Sequence, residues 1–157
     1  IGGLKLSTPI IAASGCFGYG VEYSDLIDLS TLGGISVKGL FLEPREGHPP
    51  ARIIETPSGM LNAIGLQGIG VRQFIEDKLP LLRDKHAVVI VNICGSSVNE
   101  YAEVARILSD ADGIAAIEIN EVSDFTTSPP TKYPPNSLQA LFMPSYNFLI
   151  LFWSSFT

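Results

Sequence analysis

The chain has 157 residues, enough for one domain with a real hydrophobic core and too few for most two-domain enzymes. Ten Lys and Arg against sixteen Asp and Glu give a formal charge of -6, which argues against non-specific affinity for nucleic acid or an anionic membrane and favours a small, locally steered ligand. The two cysteines, Cys16 and Cys94, lie far apart and form no CxxC pair, so neither a disulfide framework nor a zinc site is expected, and a reducing cytoplasm fits.

The start, IGGLKLSTPIIAASG, has no basic segment leading into a clean apolar run, and Pro9 interrupts its hydrophobic stretch, so no signal peptide is expected. PIIAAS at 9–14 reads as a strand and GCFGYG at 15–20 as a turn. The glycine spacing of that turn matches neither a dinucleotide fingerprint nor a P-loop. EYSDLIDLS predicts a short helix that stops at Gly33 and Gly34. GGISVKG at 33–39 is a second strand, and EPREGHPPAR after it reads as a solvated loop.

Residues 56–70, TPSGMLNAIGLQGIG, form a long uncharged loop whose glycines would let the backbone approach a ligand. A helix over 70–83 places Val71, Phe74, Ile75 and Leu82 on one face, with Pro80 expected to kink or end it. AVVIVNI at 87–93 lacks strict alternation, as strands covered on both faces do. Residues 98–108 predict a helix with Val98, Tyr101, Ala102, Ala105 and Leu108 on one face and a Ser97/Glu100 capping box at its start. AAIEIN at 115–120 is the last orderly strand.

Composition shifts near residue 121. After Asp124 the one charged side chain is Lys132, and prolines 129, 130, 134, 135 and 144 crowd the segment. Residues 138–156 are uncharged, but Gln139, Pro144 and Asn147 interrupt them, so an unnatural or poorly packed tail is expected in place of a membrane anchor.

Alternating strands and helices predict an α/β domain with a parallel sheet, and such sheets bind ligands beyond the carboxyl ends of their strands. The residues closing the four strands are Ser14 with Gly15, Lys38 with Gly39, Asn92 and Asn120. Gathered on one rim, two amides beside one lysine suit a flat heterocycle with alternating carbonyl and N–H groups, and suit a metal poorly. Lys38, following the apolar ISV, could meet an anionic ligand or a cofactor oxygen, and Asn62 would add an amide from the long loop. The bland alternative for each is a polar group that caps a strand or starts a turn. His48 and His86 sit in polar connections and read as surface residues.

IIAASGCFGYG, ISVKG, EPREGHPPARIIETPSGMLNAIGLQ, VIVNI and IEIN together resemble the catalytic subunit of dihydroorotate dehydrogenase, in the NAD-linked type B branch of class 1. The resemblance covers residues 1 to 120 and implies a (β/α)8 TIM barrel, of which this chain would hold the N-terminal half of about four β/α units. It implies FMN as cofactor and oxidation of dihydroorotate to orotate in pyrimidine synthesis: a base takes the C5 proton as hydride leaves C6 for the flavin. Electrons would then pass through the FAD and 2Fe-2S centre of a partner subunit to NAD. Carried over by position, Ser14, Lys38, Gly39, Asn92 and Asn120 are implied to contact FMN. Lys38, Asn62, Ala63, Ile64, Gly65, Leu66 and Asn120 are implied to contact the pyrimidine.

In the family the strand continues as N-x-S-C-P-N, with the cysteine as base, whereas here Asn120 is followed by Glu121, Val122, Ser123, Asp124 and Phe125. Ser123 therefore occupies the base position, in a context that has lost the following Pro and Asn. Residues 121–157 are expected to be a divergent, non-native or disordered tail. The alternative function is a non-catalytic fragment, or one of a related FMN barrel, that self-associates through open strand edges. An oligomer is expected.

Overall fold

The computed structural model describes residues 3–120, 138–143 and 148–153. Four parallel strands form its centre: β1 (Ile11–Ala12), β2 (Gly34–Leu40), β5 (Val89–Ile93) and β6 (Ile114–Asn120). A hairpin of β3 (Ile53–Thr56) and β4 (Gly59–Asn62) projects between β2 and the first helical segment. The main sheet runs β1-β2-β5-β6-β8-β7, where β7 is Leu138–Met143 and β8 is Phe148–Trp153. β8 pairs parallel with β6, and β7 pairs antiparallel with β8. The edge of β6 is thus covered, and β1 and β7 are the outer strands. The expectation of a divergent tail concerns a segment of which these two strands alone are described.

Strand alternation sorts the sheet into two faces. Ile35, Val37, Val89, Val91, Ile93 and Ile117 point to one side, where they meet Phe74, Leu82, Val104 and Leu108 of the helices in the main core. Fully burying each such side chain is worth about 1.5–3 kcal/mol. The opposite face carries Ser36, Ile90, Asn92, Ala116, Glu118 and Asn120. Ile90 and Ala116 close its lower part against Leu4 and Ile11. Helices on one side, and on the other a second face closed only in its lower part, make this a partial barrel of α/β type, as expected.

The helical elements depart from the sequence reading in three places. EYSDLIDLS forms two 3-10 turns, Val21–Tyr23 and Leu29–Thr31, because Asp28 turns its carboxylate onto the Ser30 N–H at 3.0 Å and caps a new turn instead of extending the old one. The segment from Val71 does not stop at Pro80: α1 (Val71–Gln73) widens into a π-helical turn (Phe74–Lys78) before α2 (Leu79–Asp84). Pro80 falls in the first turn of α2, where a missing N–H costs least. In α3 (Val98–Ser109) the buried side chains are Val104 and Leu108, whereas Val98 is 83% exposed. Ser97 caps the helix as predicted, its Oγ accepting the Glu100 N–H at 3.2 Å, but the Glu100 carboxylate reaches back one residue further than a capping box would, to the Ser96 N–H at 2.7 Å.

Candidate functional site

The carboxyl ends of the parallel strands surround a cavity of about 390 Å³. Lys38 and Gly39 come from the end of β2, Asn92 from β5 and Asn120 from the last position of β6. Two consecutive residues of β2 reach the same cavity because the β2–β5 register shifts between Val37 and Leu40, a bulge that re-aims the strand end. Gly39 is required there: a Cβ at this position would lie 2.7 Å from Cys94 Sγ and 3.0 Å from Asn92 Oδ1. Ser14, Gly15, Cys16 and Gly18 supply the wall after β1. The GCFGYG turn is therefore part of the site.

The outer wall is built by two segments that pair with each other outside the main sheet. Arg45 and Gly68 exchange backbone hydrogen bonds of 2.8 and 2.9 Å, and His48 N–H donates to Ile64 O at 3.0 Å. Arg52 adds side-chain bonds to Gln67 and to the Glu46 carbonyl. EPREGHPPAR, read alone as a solvated loop, is thus the strut that shapes the loop of 63–68. Gly65 has a φ of +77° and lies so close to His48 that a Cβ would come within 2.6 Å of it. Tyr19 pins the far end by accepting the Ile69 N–H at 3.2 Å, while Arg45 lies 3.5 Å over the Phe41 ring and donates to Ser96. Phe41, Ile64, Leu66 and Gln67 complete this wall.

Below the rim the open face of the sheet carries two further polar groups. Ser36, two residues before Lys38, donates its hydroxyl to Glu118, the register partner of Asn92. Cys94 is buried and lines the cavity, and its thiol donates to Asn92 Oδ1 at 3.6 Å. Burial pushes that thiol up to about 11, against smaller opposing effects of the Asn120 side chain and Arg45. The thiol is therefore protonated at neutral pH and remains a donor.

Of the residues proposed from sequence, Ser14, Lys38, Gly39, Ile64, Leu66, Asn92 and Asn120 line this one cavity. Asn62, Ala63 and Gly65 do not. Asn62 closes β4 as an exposed residue opposite Ile53, the Ala63 N–H is bound to Arg52 O, and Gly65 packs on His48. Ser123 lies outside the described residues. Reasoning from sequence missed Phe41, Gln67, Cys16, Gly18 and Cys94. Cys94 had a signal, since it stands two residues beyond Asn92, the strand's own period, one position past the end of β5.

Chemically, the cavity offers one ammonium, three amides, a hydroxyl, two thiols and a glycine floor beside apolar walls. This donor set can bind a flat ring by its polar edge. Among the described residues no group of His, Cys, Asp and Glu is placed to hold a metal ion, and no helix is long and apolar enough to cross a membrane.

Comparison with known proteins places these features in a family context. A family model described as dihydroorotate dehydrogenase matches residues 1–140. A relative from Thermodesulfovibrio yellowstonii, named as the catalytic subunit of dihydroorotate dehydrogenase B (NAD(+)), is 52% identical over 120 residues, covering 76% of this chain and 40% of the relative. Relatives of the same name from a Thermoanaerobacter species and from Phocaeicola vulgatus are 56% and 53% identical over the same length, with 39% and 40% of those proteins covered. The chain therefore spans about two fifths of the length of the curated relatives it matches. A crystal structure of an Eimeria tenella dihydroorotate dehydrogenase, in complex with ferulenol, shares the fold at a TM-score of 0.55 and 20% identity, covering 75% of this chain and 34% of that one.

Proposed function

Because the chain belongs to the dihydroorotate dehydrogenase family, we propose that its cavity is the first part of an FMN and pyrimidine site serving the oxidation of dihydroorotate to orotate in pyrimidine synthesis. One observation carries the reading: Lys38, Gly39, Asn92 and Asn120, from three different strands, face the same cavity. All four stand at the carboxyl ends of parallel strands, where such sheets bind ligands.

The residues present fit a flavin ring. Gly39 lines the cavity with bare backbone, and Lys38, Asn92 and Asn120 provide donors and acceptors for the polar edge of such a ring. FMN, when bound, supplies the hydride acceptor, which no amino-acid side chain can provide. The protein's own residues bind and orient. Lys38 holds positive charge where an anionic ring oxygen would lie, and Asn120 offers an amide to flavin and pyrimidine alike. The apolar walls from Phe41, Ile64 and Leu66 reduce the water around them. Ser123, at the family's base position, is assigned the C5 proton of the substrate.

The relatives' name as the catalytic subunit of an NAD(+) enzyme supports a separate electron-transfer subunit that passes electrons to NAD, and the family resemblance implies FAD and a 2Fe-2S centre on it. The free thiols of Cys16 and Cys94 are in keeping with a reducing, cytoplasmic setting.

The test is to titrate FMN with the purified chain and then add dihydroorotate without oxygen. Saturable quenching of flavin fluorescence, lost in Lys38→Ala and Asn120→Ala, is the expected result, and bleaching of the flavin band on adding dihydroorotate extends it to the reaction. Absence of saturable quenching overturns the reading. Quenching without bleaching restricts it to ring binding, the outcome that a non-catalytic fragment would give.

A further inference from the structure

A side-chain amide has two unlike ends, and a half-turn about its last bond exchanges donor for acceptor. Asn92 is 2% exposed and cannot rely on bulk water to choose between them. Whatever fixes its orientation decides which ligand edge the cavity wall accepts. Cys94 is in place to do this. It follows Asn92 by two residues, one position past the end of β5, it is 2% exposed, and its Sγ–H reaches Asn92 Oδ1 at 3.6 Å. Its backbone is fixed as well, because the Cys94 N–H donates to Leu40 O at 2.9 Å. Gly39 closes the arrangement, since any side chain there would meet both the sulfur and the amide oxygen.

We propose that Cys94 is a positioning residue that sets the polarity of the cavity wall: by engaging Asn92 Oδ1 it turns the two Nδ2 donors toward the ligand. The wall then takes a ring edge that accepts hydrogen bonds, such as a carbonyl oxygen or an unprotonated ring nitrogen, and discriminates against an N–H edge. Burial keeps the thiol protonated, so the donor persists across the physiological range. Asn120, whose side chain interacts with the same sulfur, is steadied by it from β6. The proposal takes FMN as its probe from the function assigned above, but the amide orientation can be read without any ligand.

The experiment therefore has two arms on the full chain. In the first, without ligand, the side-chain N–H₂ signals of Asn92 are identified in a ¹⁵N-correlated spectrum by their loss in Asn92→Asp. Cys94→Ala is expected to shift or double that pair, whereas Cys94→Ser, which keeps a donor, retains one pair. In the second, FMN affinity is expected to fall on the order of tenfold in Cys94→Ala, as for one lost hydrogen bond, and to stay within about threefold in Cys94→Ser. An unchanged Asn92 pair in Cys94→Ala overturns the proposal, as does a serine variant that behaves like the alanine one. Failure of the unmodified chain to bind FMN defeats the flavin reading instead, and the amide signals then decide on Cys94 by themselves.

Discussion

Tyr101, on α3, donates its phenol hydroxyl to the backbone carbonyl of Asn120 at 2.5 Å. The helix that follows β5 thus returns to hold the end of β6, at the residue that presents an amide to the cavity. Removing the hydroxyl in Tyr101→Phe leaves the ring in place against Gly95, so the change isolates the hydrogen bond. We expect a loss of about 1 kcal/mol in urea unfolding, with FMN affinity reduced several-fold as Asn120 gains freedom. Unaltered stability and affinity would show that the carbonyl needs no anchor.

Gly39→Ala should be the most damaging small change in the site. The added methyl would stand 2.7 Å from Cys94 Sγ and 3.0 Å from Asn92 Oδ1, both buried and with little room to retreat. Overpacking of this kind costs about 1–3 kcal/mol, and the methyl would also push the amide out of its place. Differential scanning calorimetry and FMN titration measure the two effects separately. A variant that melts like the parent and binds FMN equally well would contradict the close approach.

The strands of the sheet and the start of α3 were legible because each leaves a local mark: the β-branched apolar residues of ISV and VVIV, and the Ser97 cap three residues before Glu100. The β3–β4 hairpin was not legible, since Ile53, Ile54, Met60 and Leu61 are exposed and no burial period marks them. Its one signal was the Pro57–Ser58 turn between two short apolar pairs. The strand-end residues of the cavity could be found from the rule for parallel sheets. Its outer wall could not, because Arg45 meets Gly68 and Arg52 meets Gln67 through pairings that no local pattern encodes.

The two thiols should differ sharply in reactivity and in their effect on alkaline stability. Cys16 is exposed, whereas Cys94 is buried with its ionisation moved from an ordinary 9.0 to about 11. In the native chain an aromatic disulfide reagent should label Cys16 at mildly alkaline pH and leave Cys94 until the protein unfolds. Because folding raises the Cys94 value, the native state favours the protonated thiol. Its contribution is complete below 9.0 and is lost as pH climbs through about 11. Tyr19, raised chiefly by burial from 10.0, acts in the same direction. Urea unfolding followed across that window should therefore show falling stability, with a shallower fall in Cys94→Ala. Equal slopes for the two proteins would remove Cys94 from the account.

Beneath the rim, Ser36 and Glu118 should behave as a coupled pair. Glu118 projects from β6 on the face closed by Ile90 and Ala116, and the Ser36 hydroxyl is its donor from two strands away. Taking the hydroxyl away in Ser36→Ala leaves a half-buried carboxylate without that donor, which should cost about 1–3 kcal/mol. Replacing Glu118 by Gln keeps an acceptor and should cost less. In the double variant the two losses should not add, because the second change removes a group whose partner is already gone. A cycle of the four proteins in urea measures the coupling directly, and strictly additive losses would mean that the two side chains act independently. Lys38 stands one alternation above Ser36 on β2, and Asn92 is the β5 register partner of Glu118, so loss of the pair should also loosen the cavity floor and weaken FMN binding in the Ser36→Ala protein more than in Glu118→Gln.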